Sequence, residues 1–172
     1  MSIVLDGDNL TTAGVINSGT SQASTSGTSI VFSVPTTAKR ITVMFVGVST
    51  NGSATYQVQI GTGGAPTISG YLGTSSSISS AVTSTAYTTG FGINNAAGTS
   101  SFVVHGAVVL TLLGSNTWVS SGTLGGSDAA RTVVTGGSVT LGGSINYLRV
   151  IASATGNPAD TFDAGTINIL YE

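Results

Sequence analysis

Phe102-Val103-Val104-His105-Gly106-Ala107-Val108-Val109-Leu110-Thr111-Leu112-Leu113 is the stretch on which the fold turns. Its apolar residues recur with a period of two. Phe102, Val104, Val108, Leu110 and Leu112 share one face, and Val103, Val109 and Leu113 share the other. That pattern predicts a strand covered on both sides. Gly106 in its middle predicts a bulge or a close approach of another backbone. A helix crossing a bilayer needs about 20 apolar residues, and this run is roughly a dozen long with His105 inside it.

Working outward, Ile30, Phe32 and Val34 alternate with Val31 and Ser33 until Pro35 closes the segment. Arg40 to Val48 is apolar at Ile41, Val43 and Phe45 and again at Met44, Val46 and Val48, which predicts a second central or interface strand. Asn51-Gly52 suits the positive φ angles of a type I′ turn and predicts a hairpin. In its return strand, Thr55 to Ile60, Tyr56, Val58 and Ile60 are expected to face in and Gln57 and Gln59 out. Between Gly61 and Gly98 the alternation fades. The serine run Ser75-Ser76-Ser77 and weak candidate strands around Ile68 to Leu72 and Ile78 to Val82 read as a long decorated connection. Clusters such as Gly61-x-Gly63-Gly64 and Gly125-Gly126 read as turns. Asn116 to Thr123, Arg131 to Thr135, Ser138 to Leu141, Ile145 to Ile151 and Thr166 to Tyr171 complete a series of short strands.

The expected fold is therefore all-β: a jelly-roll-like β-sandwich over residues 29–172 with an extended N-terminal arm over residues 1–28. The arm has too few large apolar residues for a core of its own, so it should order only against the domain or a partner. Its triplet Ile3-Val4-Leu5 could add a strand to a neighbour's sheet, making these three the candidate attachment residues. The predicted core contains Ile41, Val43, Phe45, Tyr56, Val58, Phe102, Val104, Val108, Leu110, Leu148, Val150, Ile167 and Ile169. A single sandwich covers one face of a strand that is apolar on two. The second face is expected to meet another copy, with Val46, His105 and Val109 as interface residues in a homo-oligomer, most simply a trimer.

Composition narrows function. The 172 residues include four Lys/Arg, six Asp/Glu and 25 Gly, with a formal charge of -2 and no cysteine. Lys39, Arg40, Arg131 and Arg149 are too few for a phosphate-binding patch, so nucleic acid is not expected as a partner. Absent cysteine removes thiolate catalysis and Cys-based zinc sites. The opening MSIVLDGDNL has no basic residue and places Asp6 and Asp8 where a signal peptide would be apolar, so synthesis and folding in the cytoplasm are expected, with no membrane partner.

No catalytic constellation stands out, and the chain is not expected to be an enzyme or to hold a cofactor or metal. His105 is the sole histidine, and no G-x-S-x-G elbow occurs. Asp6-Gly7-Asp8-Asn9 opens like a calcium loop, but Leu10, Thr11 and Asn17 stand where a ligand, a glycine and a bidentate Glu are needed. Asp160 and Asp163 read as turn formers beside Pro158 and Gly165. A glycosidase would have to use Asp6 with Asp8 or Asp160 with Asp163, and neither pair has an aromatic platform. Trp118 reads as a core or interface residue, and Lys39-Arg40 as a solvated strand end.

Lys39-Arg40-Ile41-Thr42-Val43-Met44-Phe45 with Gly47 to Gly52, the landmarks Gly70-Tyr71 and Asn116-Thr117-Trp118-Val119, and the terminal Thr161 to Glu172 together resemble a β-rich domain of bacteriophage virions. Such domains stand at the carboxyl ends of tail fibres and in capsid decoration proteins. The resemblance covers about Ser26 to Glu172. It implies a jelly-roll-like domain, often trimeric, on the outer surface of a virion. The short arm, with no shaft ahead of the domain, suggests a capsid decoration (cement) protein bound to the major capsid protein or another virion protein. The alternative is a tail fibre tip or receptor-binding protein, for which a host-surface glycan is the expected ligand.

Overall fold

The computed structural model describes residues 15–53, 55–93, 102–127, 130–152 and 160–172. They form fourteen strands: β1 (Asn17–Ser18), β2 (Gln22–Ala23), β3 (Ser29–Ser33), β4 (Arg40–Thr50), β5 (Gln57–Thr62), β6 (Ala65–Pro66), β7 (Leu72–Ile78), β8 (Val82–Tyr87), β9 (Phe91–Gly92), β10 (Val104–Gly114), β11 (Thr117–Gly126), β12 (Arg131–Thr140), β13 (Tyr147–Ile151) and β14 (Phe162–Tyr171). None of the described residues is helical. The fold is an all-β sandwich of two antiparallel sheets. The larger, nine-stranded sheet runs β1-β14-β4-β10-β11-β12-β7-β8, with β2 also on β14. The smaller, five-stranded sheet runs β3-β13-β5-β6, with β9 on β5.

Apolar alternation accounts for the centre of the larger sheet. Ile41, Val43 and Phe45 of β4 lie beside Leu110, Val108 and Gly106 of β10 on one flank and Tyr171, Ile169 and Ile167 of β14 on the other. Every residue of the predicted core is buried. Trp118, Leu124, Val133, Phe91, Ile93 and Phe162 join them from segments whose pattern was weaker. Burying a side chain of this size contributes about 1.5–3 kcal/mol, so the β4–β10–β14 centre carries much of the hydrophobic stabilisation.

At one level the alternation slips. Gly47 and Gly165 both take positive φ, 64° and 95°, and a Cβ on Gly165 would lie 2.4 Å from the Gly47 carbonyl oxygen. Registers shift beside them on β14 and on β10, where Gly106 has φ 126°. Val46 points outward by the regular alternation and is 63% exposed, while the extra residue turns Val48, which would otherwise share its face, inward to be buried. The bulge expected at Gly106 is thus one member of a seam crossing three strands.

Several expectations are corrected. Asn51-Gly52 makes no hairpin. β4 already has β14 and β10 on its two edges, so the chain crosses to the other sheet, where β5 pairs with β13. Asn51 instead ties to Thr161, donating its N–H to the Thr161 carbonyl (3.0 Å) and accepting the Thr161 N–H on its side-chain oxygen (2.9 Å). The two-residue turn chemistry occurs at Ser115-Asn116, with φ 48° and 60°, joining β10 to β11.

Gln57 and Gln59 are buried rather than outward. The segment around Thr89 covers them: Gln59 Nε2 donates to the Thr89 carbonyl (2.7 Å), and Thr89 Oγ1 donates to Gln57 Oε1 (3.0 Å). Arg149 Nε donates to Gln59 Oε1 (2.7 Å). The supposed long connection holds the β7–β8 hairpin: the serine run lies in β7, and Ile78 to Val82 spans its turn. Gly125-Gly126 lies in β11, paired with Thr132 and Arg131, whereas Gly63-Gly64 is a turn as expected. Residues 131–140, read as two strands, are one. Asp163 sits within β14 rather than in a turn.

The described part of the arm pairs with the domain: Asn17 and Ser18 with Tyr171 and Leu170, and Gln22 and Ala23 with Ile167 and Thr166. Gln22 Nε2 also reaches across to the Val31 carbonyl of β3 (2.6 Å), closing that side of the sandwich.

Candidate interaction surface

The outer face of the larger sheet is the candidate site. Its composition follows from register. One row across the strands reads Leu170, Thr42, Val109, Ser121, Gly136 and Thr74; the next reads Asn168, Met44, Ala107, Thr123, Val134 and Ser76. Charge is confined to the ends of the face. Ser49 Oγ donates to Asp163 Oδ1 at one end, and Arg40 pairs with Glu172 at 3.3 Å at the other. Between them lie small hydroxyl, glycine and aliphatic residues, the composition of an interface core depleted in charge.

The sequence-predicted interface residues fall on this face. Val46 projects beside the bulge seam, and Val109 lies further along the adjacent strand, half-buried by its neighbours. His105 is fixed at the seam: the Gly47 N–H donates to Nδ1 (3.3 Å), and Nε2 lies 3.2 Å from Ser127 Oγ. Leu113 (74% exposed) and Val134 (45%) extend the aliphatic surface. A groove of about 220 Å³ at the Arg40–Glu172 end is lined by Ile16, Thr42, Leu170 and Tyr171 as well as the ion pair.

The other candidates do not converge. Ile3, Val4, Leu5, Asp6 and Asp8 lie outside the described residues. Asp160 is buried with its carboxyl against Gly52, where a Cβ would approach Oδ1 to 2.0 Å, while Asp163 is exposed and held by Ser49. The two carboxyls therefore serve different partners. Trp118 is in the core. Among the described residues no three His, Asp or Glu side chains group closely enough to hold a metal ion.

Two tyrosines are the strongly perturbed titratable groups. Burial pushes Tyr71 up to about 12, against the opposing pull of its bonds to Ile60 and of Arg149, and burial likewise pushes Tyr87 up to about 12. The Tyr71 hydroxyl accepts the Ile60 N–H (2.9 Å) and donates to the Ile60 carbonyl (3.2 Å), while its ring meets Phe91 edge-on with centroids 4.9 Å apart. These are structural tyrosines inside the sandwich.

Comparison with known proteins yields no matching family model, no matching curated protein and no matching solved structure.

Proposed function

We propose that this chain is a structural protein of a bacteriophage virion, displayed on the particle's outer surface as a capsid decoration protein, and that it acts as a homotrimer joined through the outer face of its larger sheet. The carrying observation is that face: Val46, Leu113 and Val134 stand exposed on a broad uncharged sheet, a surface suited to association rather than catalysis. The resemblance of Lys39 to Gly52 and Thr161 to Glu172 to virion β-domains supports the same reading. The jelly-roll-like kinship of the sandwich belongs to this proposal too. The arm residues Ile3, Val4 and Leu5 provide attachment, and three arms per trimer would bind multivalently. A second reading, a tail fibre tip contacting a host-surface glycan, is favoured by the terminal motif that β14 carries.

The test uses the full chain and a truncation lacking Ser2 to Gly14. This spares Asn17-Ser18, whose pairing with β14 would be lost in a longer deletion. The full chain should add to undecorated heads and raise their resistance to heat, and the folded truncation should not. Unchanged binding by the truncation refutes attachment through the arm. Labelled protein found on the tail transfers the assignment to the fibre tip.

A further inference from the structure

Asn51-Gly52 makes no hairpin, yet the pair keeps a chemistry of its own. Asparagine is among the thermolabile side chains. Its side-chain carbonyl carbon lies within reach of the next residue's backbone nitrogen, and attack by that nitrogen closes a succinimide ring. Glycine in the next position leaves the nitrogen unshielded by a Cβ.

The fold leaves this reaction open at Asn51. The residue is exposed, immediately after β4 ends, and Gly52 follows it outside both sheets. No described residue accepts a hydrogen bond from the Gly52 N–H. The Thr161 N–H, by contrast, donates to Asn51 Oδ1 at 2.9 Å. A donor fixed on that oxygen polarises the carbonyl and stabilises the negative charge it gathers when its carbon is attacked. The other described asparagines lack this combination. The Ile169 N–H that follows Asn168 is already bonded to Asn168 Oδ1 (2.8 Å). Asn17 Nδ2 donates to the Val15 carbonyl (2.9 Å), and Ser18 after it is paired with Leu170. Asn116 and Asn146 are followed by Thr117 and Tyr147, each carrying a side chain and lying in a strand.

We propose that Asn51-Gly52 is a site of spontaneous covalent modification in the folded protein, where Asn51 deamidates through a succinimide. The Gly52 nitrogen gives its proton to solvent base and bonds to Asn51 Cγ. The Cγ–Nδ2 bond breaks, and the departing nitrogen takes a proton from water and leaves as ammonia. Water then opens the ring, at Cγ to give aspartate or at the main-chain carbonyl to give isoaspartate, whose backbone is one methylene longer. No oxidant or reductant takes part. Either product adds one negative charge to a chain of formal charge -2. That charge appears beside the Asp160 carboxyl, which lies so close against Gly52 that a Cβ there would be 2.0 Å from Oδ1. Isoaspartate also lengthens the crossing from β4 to β5 at the residue that Thr161 holds by both its N–H and its side chain. The modification therefore loosens the tie between the end of β4 and the start of β14 and marks the age of the molecule. It is independent of the outer face and of the virion assignment.

The test holds the folded full chain in mildly alkaline buffer and follows it by ion exchange and peptide mapping. A more acidic form should accumulate, with the mass gain of NH2 replaced by OH located at Asn51 as a mixture of aspartate and isoaspartate. Asn17 and Asn168 should stay intact over the same period. Asn51→Gln, whose longer side chain closes the corresponding ring far less readily, should give no conversion at that position, and the aged wild type should melt below the fresh chain. An Asn51 that stays intact in the folded chain overturns the proposal, whether or not the chain unfolded in urea converts. So does aspartate without isoaspartate, or conversion of Asn17 or Asn168 at an equal rate. Equal melting of aged and fresh chains overturns the loosening of the tie. Should Asn51→Gln fail to fold, the peptide map of the wild type decides.

Discussion

Two parts of the same nine-stranded sheet are built on different principles. In the β4–β10–β14 centre each strand places a row of large aliphatic residues against the smaller sheet, and Ile41, Val43, Val108 and Leu110 are fully buried. In the β7–β8 hairpin the inward positions of β7 are Gly73, Ser75 and Ser77, and the last two are buried with hydroxyls that have no hydrogen-bond partner. Its order comes from the backbone ladder to β12 and from Phe91, which packs where Gly137 leaves space. The centre is a sheet because its side chains need covering; the hairpin is a sheet because its neighbour has an edge to fill. A strand can thus be specified by burial or by pairing, and only the first leaves a mark in hydropathy.

The largest effect that separates the two regions should come from truncation. Leu110→Ala removes a fully buried side chain and should cost about 2–5 kcal/mol by urea denaturation. Thr83→Ala, exposed on β8, should stay within about 0.5 kcal/mol. Equal losses would show that the hairpin carries as much of the core as the centre.

Alkaline pH probes the base of the hairpin through two buried tyrosines: Tyr71, just ahead of β7 and pinned to β5, and Tyr87 at the end of β8. Their folded values, raised to about 12 from 10, favour the neutral phenol in the native state. The associated stability is therefore complete below pH 10 and is lost as the pH rises toward 12, by up to about 1.4 kcal/mol per pH unit for each tyrosine. Tyr87→Phe should flatten about half of that slope. A stability that stays level between pH 10 and 12 would contradict the burial of both rings.

The smallest effect carries the sharpest contrast, because its sign reverses. Ser75→Ala or Ser77→Ala removes a buried hydroxyl with no partner, and each should be neutral or stabilising by up to about 1 kcal/mol. The corresponding truncation in the centre, Val108→Ala, destabilises. Loss of stability in the serine variants would mean that these hydroxyls have bonds that the fold does not account for.

This division explains what could be read in advance. β3, β4, β10 and β14 were legible because Ile30-Phe32-Val34 or Ile41-Val43-Phe45 alternates in large residues. β7 was not, because serine at inward positions looks like loop. The Asn51-Gly52 reading failed for a topological reason: turn chemistry reports that the chain bends, but not whether the strand before it has an edge to spare. Gln57 and Gln59 looked solvent-facing because nothing local announces that a segment 30 to 32 residues later will fold over them. At the surface, Val46, His105 and Val109 could be found as apolar positions left over once one face of each strand was assigned.

The Tyr71 hydroxyl holds both the N–H and the carbonyl of Ile60, with the Thr67 N–H also reaching that carbonyl at 2.9 Å. One phenol thus stands in for a rung of the sheet between the short pairings that β6 and β9 make at the two ends of β5. The Ile60 amide is consequently guarded by a side chain, and its exchange with deuterated solvent is timed by the excursions of one aromatic ring rather than by the fraying of a strand.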